Sequence, residues 1–171
     1  MTKRILLTGR PGCGKTTLIQ RVVKNLALPA GGFYTEEIRG GGQRVGFKII
    51  TLEGKEAIFA HVDFKTRERV GKYGLNLSAL EAVGVKAIRE SVRAQQLVVT
   101  DEIGPMELRS VIFRDAVSEA LDSNVPILAT ITARSLPFAD AIKKRPDVIV
   151  IEVRQDNREQ LASELSDQFK K

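Results

Sequence analysis

Tryptophan is absent from the 171-residue sequence, and cysteine and histidine occur once each, as Cys13 and His61. A single cysteine excludes an internal disulfide bond. The same inventory lacks the ligands of a structural zinc site and excludes a histidine-based catalytic triad. We expect His61 on the surface or in a loop. We interpret Cys13 as a small side chain that fills space rather than as a catalytic thiol.

Long apolar runs are absent as well, since none approaches the roughly 20 residues that span a bilayer. The first basic residues precede a short apolar stretch, but a polar, glycine-rich stretch follows it and no small-residue cleavage site is present. We therefore expect a cytoplasmic protein without membrane association. The length predicts one domain over residues 1–171. Apolar residues make up 43% and charged residues 28%, which is typical of a globular chain.

The charge is moderately basic, with 27 lysines and arginines against 21 acids and a net charge of +6. Such a surplus suits nucleic acid, but it also suits the phosphates of a nucleotide. The basic residues are scattered apart from Lys143-Lys144-Arg145, which we interpret first as a helix terminus and second as a nucleic-acid patch. A nucleic-acid partner thus has no support beyond net charge, and we expect a monomer.

The stretch Gly9-Arg10-Pro11-Gly12-Cys13-Gly14-Lys15-Thr16 matches the phosphate-binding loop pattern, or Walker A motif, at every fixed position. An apolar run over 4–8 precedes it, and helical apolar spacing follows over 17–26. Glycines let backbone N–H groups approach an anion, and a helix start favours negative charge. We predict that Lys15 contacts the β- and γ-phosphates and that the Thr16 hydroxyl binds Mg²⁺.

A second motif consists of two acids, Asp101 and Glu102, which end the buried strand predicted at residues 96–102 in the manner of a Walker B motif. Asp101 would orient Mg²⁺ through water, and Glu102 would align the attacking water with the γ-phosphate. A plain acidic exit from the strand is the alternative. Adjacent strand residues point to opposite sides, so both acids can serve one site only if the chain bends, and Gly104-Pro105 would allow that.

Polar residues elsewhere offer further candidates. Thr130 and Thr132 end the neighbouring predicted strand and would sense the γ-phosphate, although a core threonine with a satisfied hydroxyl explains Thr130 equally well. Positive charge near the transferred phosphoryl group would come from an arginine. The unranked candidates are Arg10, Arg109, Arg134 and Arg158.

From residue 78 onward, helices alternate with continuously apolar strands, which indicates a mainly parallel sheet covered on both faces. Residues 32–60 predict an antiparallel β-meander that enlarges the sheet or partly covers the site. The basic segment 61–76 predicts a loop with a short strand, either solvated or in contact with phosphates or an acidic partner. We also expect a bend at Gly84 and a helix over 107–121. Three helix starts are predicted from their caps, namely Ser78 with Glu81, Ser135, and Asp156.

The chain resembles the nucleoside-triphosphatase family first described in thermophiles, whose animal relatives are called cancer-related nucleoside-triphosphatases. The resemblance rests on the phosphate loop, on Gly32-Phe33-Tyr34-Thr35-Glu36-Glu37 with Gly46-Phe47, and on Asn157-Arg158. Its most specific part is the run Asp101-Glu102-Ile103-Gly104-Pro105-Met106-Glu107. It implies a RecA/AAA-like three-layer α/β/α P-loop fold and Mg²⁺-dependent hydrolysis of ATP and other nucleoside triphosphates with broad base tolerance. It places the nucleotide on the phosphate loop and on Val98, Val99, Thr100, Asp101, Glu102, Ile103, Gly104 and Pro105.

Within that resemblance, we take Lys15 and Glu102 as the catalytic residues and Thr16 and Asp101 as the Mg²⁺ residues. Asn157 and Arg158 would approach the base or ribose, or simply form the first turn of the last helix. A nucleotide or nucleoside kinase is one alternative, and residues 61–76 would be its only candidate lid. The Asp101-Glu102 pair argues against a kinase. A nucleic-acid-stimulated ATPase is the other alternative.

Overall fold

The computed structural model describes residues 2–170, and in this range it forms one nine-stranded sheet. In sheet order the strands run β5-β6-β4-β3-β2-β7-β8-β1-β9. Their bounds are β1 (Arg4–Thr8), β2 (Ala30–Gly40), β3 (Gln43–Thr51), β4 (Glu56–His61), β5 (Arg69–Val70), β6 (Tyr73–Leu75), β7 (Leu97–Ile103), β8 (Ile127–Ile131) and β9 (Ile149–Glu152).

The half of the sheet from β2 to β9 is parallel, as the continuous apolar runs predict. All five residues of β8 are buried, as are Ile5, Leu6 and Leu7 of β1. Strands read as continuous apolar runs when helices cover both faces of the sheet. Because β8 lies between β1 and β7, the strand that precedes the phosphate loop and the strand that ends in the acids are not neighbours. Both point their carboxyl ends to the same edge, where ligands bind in such sheets.

The other half of the sheet is antiparallel, and the long strand β2 belongs to both halves. Its first residues pair in parallel with β7, from Ala30 opposite Leu97 to Phe33 opposite Thr100. The rest pairs antiparallel with β3, and β4, β6 and β5 continue the meander. The sequence placed the meander at about 32–60. The structure shows that segment 61–76 extends it with two short strands rather than one.

Helices cover both faces of the sheet and make three layers. The helices are α1 (Lys15–Lys24), α2 (Leu77–Ala79), α3 (Lys86–Arg93), α4 (Val111–Asp122), α5 (Pro137–Lys143) and α6 (Arg158–Gln168). Helices α1 and α6 pack with Ile5, Leu7 and Leu128 in one apolar core. Helices α3, α4 and α5 contribute to the core on the opposite face, which includes Leu6 and Phe33. The predicted three-layer architecture is therefore present in the described residues.

The predicted capping box at Ser78 and Glu81 is wrong. The side chain of Asn76 caps α2 instead, since its Oδ1 accepts a hydrogen bond from the Ala79 N–H at 3.1 Å. Asparagine is as good a cap as serine, and a tertiary contact uses Glu81, whose Oε2 accepts from Ser110 Oγ at 2.7 Å. The chain then forms a π-helical turn over Leu80–Val85, and Gly84, where a bend was expected, lies within it.

Two other predicted caps and one helix start are also wrong. Leu136, not Ser135, is the cap position of α5, and no side chain accepts a capping hydrogen bond there. Ser135 Oγ instead donates to Asp140 Oδ2 at 2.6 Å. Asn157 replaces Asp156 at the start of α6, and Asp156 pairs with Arg154 at 3.0 Å. The helix expected from residue 107 is divided into a 3₁₀ turn over Glu107–Arg109 and α4, which the hydroxyl of Ser110 caps.

Candidate active site

The phosphate loop joins β1 to α1, and two of its glycines combine a positive φ angle with a close neighbour. Gly14 has a φ of +95° directly before the helix, and a Cβ atom there would lie 2.7 Å from Arg158 Nη1. Gly9 has a φ of +152°, and a Cβ atom there would lie 2.7 Å from the Val153 carbonyl oxygen. Side chains at both positions would be strained and would collide with their neighbours, so the loop geometry depends on these glycines.

Lys15 folds back over the loop from the first turn of α1. Its Nζ donates to the Gly9 carbonyl at 2.7 Å and lies 3.7 Å from Glu102 Oε2. Only 12% of the lysine side chain is exposed, so its charge acts inside the site rather than in bulk water. An ammonium group held over a glycine loop is placed to meet phosphate oxygens.

Asp101 is buried, and both of its carboxylate oxygens accept short hydrogen bonds. Thr16 Oγ1 donates to Oδ2 and Thr130 Oγ1 donates to Oδ1, each at 2.6 Å. Burial raises the pKa of Asp101, and the hydrogen bonds from Thr130, Thr16 and the backbone of Thr35 oppose that rise. The carboxylate is thereby fixed in orientation, and the loop is tied to two strands through it.

Glu102 faces the same site as Asp101. Its side chain is 30% exposed, and its carboxylate lies beside Lys15. Burial raises the pKa of Glu102, the charge of Lys15 lowers it, and the charge of Asp101 raises it. Pairing of β7 with β8 is regular up to Thr100 and resumes at Ile103. The chain therefore departs from regular strand geometry at the two acids themselves, earlier than the expected bend at Gly104-Pro105.

Three residues near the acids make contacts, or have a buried position, that the sequence analysis does not predict. Thr130 uses its hydroxyl on Asp101, and Thr35 presents its backbone to the same carboxylate. Glu107 is 5% exposed, and burial followed by the charges of Glu102 and Asp101 raises its pKa well above the ordinary value. Only its place in the Asp-Glu-Ile-Gly-Pro-Met-Glu run could have indicated Glu107. The contacts of Thr35 and Thr130 follow from strand order, which the sequence does not show.

Several predicted nucleotide-binding residues are buried in or beside β7. Val98 and Val99 belong to the two apolar cores on opposite faces of the sheet. Thr100 and Ile103 are buried in β7, and Gly104 packs against the Glu102 side chain. Their burial is consistent with support of the two acids, and nucleotide contact by these residues stays a prediction. Arg10, Pro11 and Gly12 form the exposed tip of the loop.

The four candidate arginines separate into distinct places. Arg158, from the start of α6, donates from Nη1 to the Cys13 carbonyl at 3.4 Å and so lies over the loop. Arg10 is exposed at the loop tip. Arg109 and Arg134 line a different cavity beside the exit of β7. Of the three candidates outside the loop, Arg158 is the one that the structure brings into contact with it.

An open cavity of about 520 Å³ lies in front of the loop. Its floor includes Gly14, Lys15 and Thr16, and its far wall comes from β2 through Thr35, Glu36, Glu37 and Arg39. This volume falls within the range of roughly 300–1,000 Å³ found for small-molecule sites. In the sequence, Thr35, Glu36 and Glu37 stand out only through the family resemblance. The structure places them opposite the phosphate loop.

The residues predicted to hold Mg²⁺ fit that ion. Among residues 2–170, no group of three histidine, cysteine or carboxylate side chains could bind a metal by itself. Mg²⁺ in nucleotide sites needs only one or two protein ligands, because water and phosphate oxygens supply the rest. The Thr16 hydroxyl and the Asp101 carboxylate meet at 2.6 Å at the helix start, which is the oxygen-only donor set that this ion prefers.

Three features define the class of protein: a phosphate loop after β1, a pair of acids at the end of β7, and strand β8 between these two strands. They define a P-loop nucleoside-triphosphate-binding protein of RecA-like strand order.

In the described range, no helix has the length and apolar character needed to cross a bilayer.

Comparison with known proteins narrows this class. A family model described as NTPase matches residues 4–166. Nucleoside-triphosphatase THEP1 of Thermotoga maritima is 48% identical over 162 residues, which cover 95% of this chain and 92% of that protein. THEP1 of Methanocaldococcus jannaschii is 39% identical over 166 residues, which cover 95% of this chain and 94% of that protein. The chain therefore belongs to this NTPase family.

Solved structures confirm the predicted fold class. The crystal structure of THEP1 from the hyperthermophile Aquifex aeolicus matches with a TM-score of 0.89 at 37% identity, covering 99% of this chain and 100% of that one. The solution structure of a human cancer-related nucleoside triphosphatase matches with a TM-score of 0.82 at 36% identity, covering 98% of this chain and 97% of that one.

Proposed function

We propose that this chain hydrolyses nucleoside triphosphates to the diphosphate and inorganic phosphate, with Mg²⁺ and with broad tolerance of the base. The observation that carries this proposal is the position of Glu102, next to Asp101 in the chain and 3.7 Å from Lys15 of the phosphate loop. Membership of the NTPase family supports the same reaction.

The phosphates would lie on the backbone N–H groups of the loop and at the N-terminus of α1, where the helix dipole favours negative charge. Lys15 would leave the Gly9 carbonyl and bind the β- and γ-phosphate oxygens. Thr16 and Asp101 would hold Mg²⁺, Asp101 through water. When bound, the ion neutralises charge on the β- and γ-oxygens. Thr130 would keep the carboxylate of Asp101 aimed at this place.

Glu102 would accept a hydrogen bond from the attacking water and align it with the γ-phosphorus. A carboxylate is a weak base at its ordinary pKa, and the raised pKa of Glu102 makes it a better acceptor for the proton of the water. No substrate hydroxyl is needed in this arrangement, which favours hydrolysis over a kinase reaction.

Weak selection of the base follows from where the specific contacts are. The loop, Lys15 and the Mg²⁺ residues address phosphates, which all four common nucleotides share. Asn157, a candidate for contact with the base, uses its amide within its own turn. It accepts from the Arg154 N–H at 2.7 Å and donates to the Glu152 carbonyl at 2.9 Å. The amide is therefore committed to the backbone, which argues against base readout by this residue.

The experiment is phosphate release from ATP, GTP, CTP and UTP, with Mg²⁺ and with EDTA, by wild type, Glu102→Gln and the exposed control Glu53→Gln. We expect wild type to hydrolyse all four with Mg²⁺ at rates within about an order of magnitude of each other, and none with EDTA. Glu102→Gln should retain nucleotide binding and lose roughly two to four orders of magnitude in turnover, whereas Glu53→Gln should match wild type.

Other outcomes would redirect the proposal. Near-normal turnover in Glu102→Gln would assign the water to another residue. Formation of the diphosphate that requires an added acceptor, with the phosphoryl group transferred to it and no free phosphate released, would indicate a kinase. Release that requires RNA or DNA, with a steep loss of binding as salt rises, would indicate a nucleic-acid-stimulated ATPase.

A further inference from the structure

A second cavity, of about 880 Å³, opens at the same edge of the sheet as the phosphate loop. Its walls come from β5 and the following turn, from the chain that leaves β7 at Pro105, and from the chain that leaves β8 at Arg134. It shares no lining residue with the cavity in front of the loop. Its volume lies in the range of small-molecule sites, and a concave site of this size suits a small ligand better than a macromolecular surface.

Four arginines line this cavity and no acidic side chain does. They are Arg69, Arg109, Arg114 and Arg134. Within residues 2–170, Arg109 pairs with Glu68 at 3.5 Å, while the other three have no carboxylate within ion-pair distance. Like charges gathered in one concavity repel each other and concentrate positive potential. The cavity is therefore complementary to an anion.

Two of the guanidinium groups are held in place by backbone carbonyls. Arg69 donates to the Phe64 carbonyl at 2.6 Å and to the Lys72 carbonyl at 2.9 Å, and Arg114 donates to the Leu108 carbonyl at 2.9 Å. A guanidinium group carries five N–H donors, so each arginine keeps donors for a ligand while its position is fixed. Such preorganisation lowers the entropy cost of binding.

The rest of the lining is apolar, with Phe138, Leu136 and Pro105 among its members. A ligand that fits both parts has a strongly charged group and a flat apolar body. A carboxylate carries one charge and two oxygens, which is little for four guanidinium groups. A phosphate monoester carries nearly two charges and three terminal oxygens, and arginine binds phosphate with matching fork geometry.

We propose that this cavity is a second ligand site, which binds a phosphate monoester of a flat, apolar organic group beside a nucleotide on the loop. Arg69 and Arg134 hold the phosphate, and Phe138 packs against the apolar body. The segment 61–76 thereby acquires a role, since it supplies Arg69 and the turn at Gly71. Pro105 also lies in the chain segment that carries Glu102, so this segment connects the cavity to the candidate active site.

The test is calorimetric titration of phenyl phosphate into the protein saturated with Mg²⁺ and a non-hydrolysable ATP analogue. Nucleotide then occupies the loop, and the measurement needs no hydrolysis. We expect a dissociation constant on the order of 0.1–1 mM, weaker binding of inorganic phosphate and no binding of phenol. Arg69→Gln should weaken binding about tenfold or more, because a charge-assisted hydrogen bond is lost.

The matched control is Arg67→Gln, which removes the same charge from the same segment outside the cavity and should change the affinity less than twofold. Arg69→Gln could disturb its own segment, because Arg69 bonds to two backbone carbonyls there. Arg134→Gln therefore repeats the test at a side chain that makes no hydrogen bond or ion pair within residues 2–170. Absence of binding while the loop is occupied, an equal loss in Arg67→Gln, or equal affinity for phenyl phosphate and inorganic phosphate would each overturn the proposal.

Discussion

Asp101 shows how a buried charge is tolerated at the site. An unpaired buried carboxylate is costly, and each hydrogen bond to it offsets part of that cost. The hydroxyls of Thr16 and Thr130 meet its two oxygens at 2.6 Å, and Lys15 supplies positive charge nearby. The functional group of the acid is therefore fixed before any ligand binds.

Lys15→Ala tests the loop at the scale of one residue. We expect it to lose nucleotide binding and hydrolysis together, because it removes the positive charge that we propose binds the phosphates. Affinity for a labelled ATP analogue and phosphate release would both be measured. Lys24→Ala is the control, since Lys24 is exposed at the other end of the same helix. Normal hydrolysis by Lys15→Ala would refute the assignment of the site.

Residues with local motifs were predictable, and residues that act through long-range contacts were not. Gly9 to Thr16 and the pair Asp101-Glu102 are recognised from spacing along the chain. The bond from Thr130 to Asp101 joins residues 29 apart, and the bond from Thr16 joins residues 85 apart. Such partners depend on which strands are neighbours, so no local pattern identifies them. Thr130 was accordingly left between two interpretations.

At the scale of an element, the end of β7 decides where Glu102 points. Gly104 follows closely, and a Cβ atom there would lie 2.9 Å from Glu102 Cγ and 3.0 Å from its Cδ. The glycine leaves room for the glutamate side chain to turn back to Lys15. The exit of the strand, and not the motif alone, thus sets the position of the Glu102 carboxylate.

Gly104→Ala should separate binding from turnover. The added methyl group would push the Glu102 side chain from its place, while Lys15, Thr16 and Asp101 stay as they are. We expect nucleotide affinity within about twofold of wild type and turnover lowered roughly tenfold or more, as for small misplacements of a reacting group. Steady-state kinetics with a separate binding titration would measure both. Unchanged turnover would mean that Glu102 has another route to its position.

Helix caps were the least predictable elements. Serine, aspartate and asparagine compete for cap positions with similar strength, and candidates stood close together at Asn76 and Ser78 and again at Asp156 and Asn157. Side chains recruited by other partners, such as Ser135 by Asp140, were unavailable to the backbone. The sequence could show that a helix begins there, but not which residue begins it.

At the scale of the molecule, periodicity predicted the parallel and antiparallel halves of the sheet correctly. It did not predict that β2 belongs to both halves or that β8 separates β1 from β7. Length and apolar pattern say that a strand is buried on both faces, but they carry no information on its neighbours. The second cavity, which four arginines line, could not be predicted from the sequence for the same reason, because its walls come from three distant parts of the chain.

Glu107→Gln tests how a buried acid affects the stability of the whole fold. The pKa of Glu107 is raised well above its ordinary value when folded. A raised pKa means that its contribution to stability is fully present below the unfolded pKa and is lost as pH rises through the folded pKa. Glutamine cannot ionise. We therefore expect the free energy of unfolding of wild type to fall relative to the variant as pH rises from 5 to 9.

Urea unfolding across that pH range would measure the difference, which cannot fall by more than about 1.4 kcal/mol per pH unit for one proton. Glu53→Gln, at an exposed turn, should follow wild type throughout. A constant difference between wild type and Glu107→Gln would show that Glu107 keeps the same protonation in the folded and unfolded states.

The strand order has a consequence for folding of the chain during its synthesis on the ribosome. The sheet neighbours of β1 are β8 and β9, the last two strands to be synthesised. The segment made first therefore waits through most of translation, on the order of ten seconds at ordinary elongation rates, before it can pair. The meander and β7 can associate earlier. The nucleotide site is thus completed late, when β8 arrives between strands that until then have no contact with each other.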